Sequence, residues 1–98
     1  MINILAKSYL IIPEKVAQDN NLTPLAKILF AKIYSLTKQE GYCWATNKML
    51  ALYFNVTERT ITSNINKLNK YGYIELKLDN IEFKNTKRII YINYEKIE

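Results

Sequence analysis

Residues 46–71, TNKMLALYFNVTERTITSNINKLNKY, constrain this chain more than any other stretch. Thr46 reads as the cap of a helix over Asn47–Phe54. Thr57 reads as the cap of a second, from Glu58 to about Tyr71, which Gly72 ends. Only Asn55 and Val56 separate the first helix from the second cap, so the two helices meet at a tight turn. Asn55 stands where such a turn demands positive φ, a need that favours Gly or Asn. Leu50 and Phe54 lie one helical turn apart and face the core, and Ala51 is small enough for the next helix to cross closely. Val56 plugs the corner. Ile61, Ile65 and Leu68, at i, i+4 and i+7, seat the second helix on the same core.

The flanking segments complete an α+β pattern. Thr23-Pro24 is a helix start, with threonine as cap and proline at the first helical position. The helix should run from Pro24 to about Lys38. Leu25, Ile28, Leu29, Ile33 and Leu36 mark its apolar face, widened by Ala26, Phe30 and Tyr34. So broad a face belongs to a central core helix, and Gly41 is its left-handed stop. Upstream, Glu14–Asp19 suits a short helical turn, and Tyr9–Ile12, ended by Pro13, suits an edge strand. Tyr42-Cys43-Trp44 is another short strand candidate. Downstream, Tyr73–Leu78 alternates with Ile74, Leu76 and Leu78 on one face, and Thr86–Asn93 returns with Ile90 and Ile92 inward. The expected fold is a winged helix-turn-helix: a three-helix core, a C-terminal β-hairpin wing over 73–93 and a short extra N-terminal strand. It forms one domain over 1–98.

Charge points to a polyanion partner. The chain carries a formal +5. Between Thr46 and Ile90, eight basic residues stand against four acidic ones, so most of the excess lies in the helix-turn-helix and hairpin. With one cysteine and no histidine, a zinc site or a histidine-based catalytic centre is disfavoured. Cys43 reads as a small buried apolar residue. Two glycines, both helix stops, leave no phosphate-cradling loop, and no nucleophile–base pair stands out. No enzyme and no cofactor is expected. No run approaches the roughly 20 apolar residues of a membrane span, and no leader peptide is evident at the start. The expected location is the cytoplasm. Eight tyrosines are scattered among core-like positions, which favours packing over base stacking.

At 100° per residue, Arg59, Ser63, Asn66 and Lys70 fall opposite the apolar stripe of the second helix, flanked by Thr62 and Lys67. Side chains able to reach base edges and phosphates, without apolar obstruction, are what a groove-entering helix needs. In such modules the N-terminal part meets the bases, here Arg59, Thr60, Thr62 and Ser63, while Asn66, Lys67 and Lys70 suit phosphates or sugars. Glu58 serves the helix dipole. The wing adds Lys84, Lys87 and Arg88, with Asn85 and Thr86 between them; strand alternation sets Lys87 and Arg88 on opposite faces. Neutralising about six phosphates with these cations gives a salt slope of about −5. A winged helix that docks on protein and touches no DNA fits the same frame and is the competing class.

The run from Leu22 to Glu75 resembles the winged helix-turn-helix module of low-GC Gram-positive plasmids and phages. It is similar to the N-terminal domain of replication initiators there. The telling pieces are the LTPLAKILFAKI opening, the GYCWATN lead into the second helix and the FNVTERTI turn. The resemblance implies sequence-specific binding to repeated origin DNA, with the contacting stretch on Thr57–Lys70 and on the hairpin around Lys84–Arg88, Asn85 included. Initiators continue into a further domain that recruits replication machinery, whereas this sequence stops at Glu98. The expectation is therefore a stand-alone binder of double-stranded DNA at an origin region. It would act as an accessory factor in conjugative transfer (a relaxosome component), segregation or replication, with a small transcriptional repressor as alternative. A homodimer or paired binding on repeated sites is expected, with the apolar N-terminal segment and the C-terminal YINYEKIE as candidate interfaces. A relaxase, partition protein or replication protein is the protein partner such a role implies.

Overall fold

The computed structural model describes residues 9–82 and 85–98. Along it run α1 (Glu14–Ala17), α2 (Pro24–Glu40), α3 (Asn47–Phe54), α4 (Glu58–Lys70), β1 (Ile74–Glu82), β2 (Asn85–Ile92) and α5 (Tyr94–Ile97). Each of the three long helices starts at its threonine. The hydroxyls of Thr23, Thr46 and Thr57 accept from the backbone N–H of Ala26, Met49 and Thr60, satisfying donors that a helix start leaves orphaned. α2 stops at Gly41, whose φ is 86° and whose N–H donates to the Thr37 carbonyl at 2.7 Å. α3 stops at Asn55, left-handed at φ 59°, ψ 47°, as the turn requires. The Val56 N–H then returns to the Ala51 carbonyl at 3.0 Å and closes the corner.

α2 lies at the centre. Ala26, Leu29, Phe30 and Ile33 are fully buried and join Leu50, Ile61, Ile65, Leu68 and Ile90 in one cluster. At about 1.5–3 kcal/mol for each buried large apolar side chain, these contacts are the main force seating α4. The covered face of α2 is not the one expected in full. α4 and β2 pack against it, and Ile28 is left exposed. Thr37 is buried instead, its hydroxyl satisfied by donation to the Ile33 carbonyl at 2.8 Å.

β1 and β2 pair antiparallel, with Ile74 opposite Ile92, Leu76 opposite Ile90 and Leu78 opposite Arg88, and an irregularity between Asn80 and Glu82. Ile74, Ile90 and Ile92 are buried as the alternation predicts, but Leu78 is 75% exposed. At that level β1 is uncovered, although Arg88 opposite it still reaches back to the helical body. The strand expected at Tyr42–Trp44 is reduced to one bridge: the Cys43 N–H donates to the Ile90 carbonyl at 2.9 Å, and the Ile90 N–H donates back at 2.8 Å. The extra N-terminal strand is not found over Tyr9–Ile12, which joins no sheet and leaves Tyr9 and Ile11 exposed. The rest of that segment, 1–8, lies outside the described residues. α1 forms where a helical turn was expected and buries Val16 completely. α5 packs beside α1, and Ile97 leans on the core. Among the described residues no helix is long and apolar enough to cross a membrane.

Candidate nucleic-acid interface

The outer face of α4 is set by how its inner face is held. Ile61, Ile65 and Leu68 are buried, which turns Arg59, Thr62, Ser63, Asn66 and Lys70 outward, all exposed. Asn64 adds a polar lock. Only 7% exposed, it accepts from the Thr23 hydroxyl at 2.7 Å and donates to the Thr60 carbonyl at 2.8 Å. The cap of α2 is thereby tied to the middle of α4. Sequence reasoning passed over Asn64, yet the helical arithmetic contains it: at 100° per residue it falls about 40° from Leu68, on the edge of the apolar arc.

Thr57 and Thr60 are engaged at the helix start. The Thr57 hydroxyl accepts from the Thr60 N–H at 3.1 Å and lies 3.0 Å from the Thr60 hydroxyl, and Thr60 is half-buried. Their side chains serve the cap first. Lys67 is also half-buried, while the Lys70 ammonium sits 5.6 Å from the centre of the Tyr71 ring. Glu58 occupies the first turn, where a carboxylate complements the helix dipole.

The wing splits Lys87 from Arg88. Lys87 is exposed, with its ammonium 5.4 Å from the centre of the Trp44 ring. Trp44 is itself anchored, its indole N–H donating to Glu40 at 2.9 Å. Arg88 faces the other way, as alternation requires, and folds back onto the start of α3. Its guanidinium donates to the Asn47 side-chain oxygen and to the Ala45 carbonyl, and partial burial lowers its pKa from the ordinary value. The structure thus sets Arg88 apart from the solvent-facing cations with which the sequence grouped it. Lys84 lies outside the described residues, and Asn85 is described only as the first residue of β2.

Three further residues shape this surface: Asn47, Trp44 and Lys48. Asn47 accepts from Arg88 and donates to the Thr62 hydroxyl at 3.0 Å. No local pattern marks it, since its partner Arg88 is 41 residues away. Lys48 is exposed in the first turn of α3. Cys43, buried behind this surface, has its thiol pushed up by desolvation, which keeps it a packing residue.

Residues 20–74 match the family model described as a helix-turn-helix domain. A solved chain described as the N-terminal domain of a DNA binding protein superposes with a TM-score of 0.70 at 19% identity, over 92% of this chain and 77% of that one. At that identity the likeness shows a shared fold. Comparison with curated proteins gives no match. The family model spans more than half of the chain and takes in α2, the α3–turn–α4 unit and the start of the wing. This chain therefore belongs to the helix-turn-helix domain family.

Proposed function

We propose that the chain binds double-stranded DNA sequence-specifically, with α4 in the major groove and the hairpin along the adjacent backbone. It acts by binding and not by catalysis. The observation that carries this reading is the outer face of α4. Arg59, Thr62, Ser63, Asn66 and Lys70 are exposed together on a helix pinned from behind by Ile61, Asn64, Ile65 and Leu68. A rigid helix with short hydrogen-bonding groups and flanking cations is suited to base edges and phosphates. The fold relative described as part of a DNA binding protein supports the same reading. The likeness of Leu22–Glu75 to plasmid and phage initiator modules supports a finer one: an accessory factor at an origin region, working as a homodimer or in pairs on repeated sites.

The test is a titration against duplex fragments tiled across the flanking genomic DNA at two salt concentrations. Tight, strongly salt-dependent binding to one fragment is expected, and its position names the process served. Charge reversal in R59E/K67E should abolish that binding while circular dichroism shows the fold intact. Exposed Leu52 and Tyr53 on α3, 74% and 54% accessible, favour a second reading as a protein-docking module. Weak, uniform binding to every fragment, unchanged in R59E/K67E and in a variant at Lys84 and Lys87, would put that reading first.

A further inference from the structure

Arg88 is one of only two arginines in the chain, and it is turned away from the surface its charge would suit. On β2 it continues the inward file of Ile92 and Ile90 and sits opposite Leu78. Its partners are the Ala45 carbonyl and the Asn47 side chain, and Asn47 in turn meets Thr62 on the outer face of α4. The wing is therefore wired to the helix that carries the candidate contacts through a single amide.

The direction of each bond in this chain follows from the chemistry of its first member. A guanidinium can only donate, so the atom of Asn47 that faces Arg88 must be Oδ1. The amide then presents Nδ2 to Thr62 at 3.0 Å. An amide nitrogen can only donate, so the Thr62 oxygen must accept. The Thr62 proton is thereby directed away from Asn47. Remove the guanidinium and nothing compels that order: the amide can flip, and Thr62 can donate inward while offering only lone pairs outward.

We propose that Arg88 is a positioning residue, acting through Asn47 to hold Thr62 as a hydrogen-bond donor toward DNA. This rests on the proposed function and deepens it. A donor at Thr62 selects acceptor atoms such as guanine O6 and N7, adenine N7 or thymine O4 over the cytosine and adenine amino groups. Arg88 itself neutralises no phosphate.

The experiment measures binding of the intact chain to its preferred duplex and to single base-pair variants of it, across a salt series. R88M should lower affinity for the preferred duplex about tenfold, flatten discrimination at one base pair and leave the salt slope unchanged. T62A should flatten the same base pair, and R88M/T62A should add nothing there. A phosphate contact would behave otherwise: R88M would weaken all sequences alike and reduce the slope by about 0.9. That result overturns the proposal, as does R88M discrimination that stays intact where T62A loses it. Should R88M fail to fold, N47D answers alone. An aspartate still accepts from Arg88 but cannot donate to Thr62, so it must flatten the same position. A wild-type chain that binds no duplex fails the functional reading itself, an outcome distinct from a duplex bound with an altered slope.

Discussion

Asn55 shows how much one residue can settle. At φ 59° it holds a conformation that costs other non-glycine residues about 1–2 kcal/mol. Asn55→Ala should therefore lose about 1 kcal/mol in urea unfolding, while Asn55→Gly should be close to neutral. A midpoint unchanged by alanine would mean that the turn does not need this backbone. Tyr73 and Asp19 make a second case. The Tyr73 hydroxyl donates to the Asp19 carboxylate, and burial first, then Asp19, pushes the tyrosine up to about 12. The same bond, with the Asn21 N–H, lowers Asp19 from its ordinary value. The signs follow by linkage. The tyrosine's contribution is full below its ordinary 10 and lost as pH rises through about 12. The aspartate's is present above the usual carboxylate range and lost as pH falls through its lowered value. An ultraviolet titration should show Tyr73 ionising late, and D19N should bring it back toward its ordinary 10. If no tyrosine lags behind the others, the pair is not formed in solution.

Among the elements, α4 is bound by unequal faces, and the inequality is measurable. Leu68→Ala removes a fully buried side chain and should cost about 2–5 kcal/mol. Its exposed neighbour in Asn69→Ala should stay within about 0.5 kcal/mol. Asn64→Ala removes the bonds to the Thr23 hydroxyl and the Thr60 carbonyl and should cost about 1–3 kcal/mol. Equal melts for all three would show that α4 is not seated as described. The hairpin offers a spectroscopic reporter, because Trp44 is the sole tryptophan and carries Lys87 over its ring. If Lys87 moves to a phosphate, duplex should change Trp44 emission with the midpoint of binding, and K87M should lose most of that change. An emission change identical in K87M would place the wing elsewhere.

For the whole molecule, the proposed function assigns capture of DNA to the excess positive charge and readout to the few outward groups of α4. With Arg88 turned inward, about five phosphate contacts remain (Arg59, Lys67, Lys70, Lys84 and Lys87), so log K should fall with log salt at a slope of about −4.5. A slope near zero would remove the electrostatic account. Much of this architecture was legible in the chain itself. Capping threonines, Gly41, Asn55 and the i, i+4, i+7 spacing of Ile61, Ile65 and Leu68 are local signals that name helix ends and faces without reference to distant residues. The exposed set on α4 followed from the same periodicity. The exposure of Ile28 and Leu78 did not, because a periodic pattern says which side is apolar and not how far a covering element extends. Nor did the bonds from Arg88 to Asn47, Thr23 to Asn64 and Tyr73 to Asp19, which join residues 41 or 54 positions apart. Short-range propensity determined the helices, the turn and the hairpin by itself. Which polar groups meet across them was decided only when the tertiary packing brought distant donors and acceptors within reach.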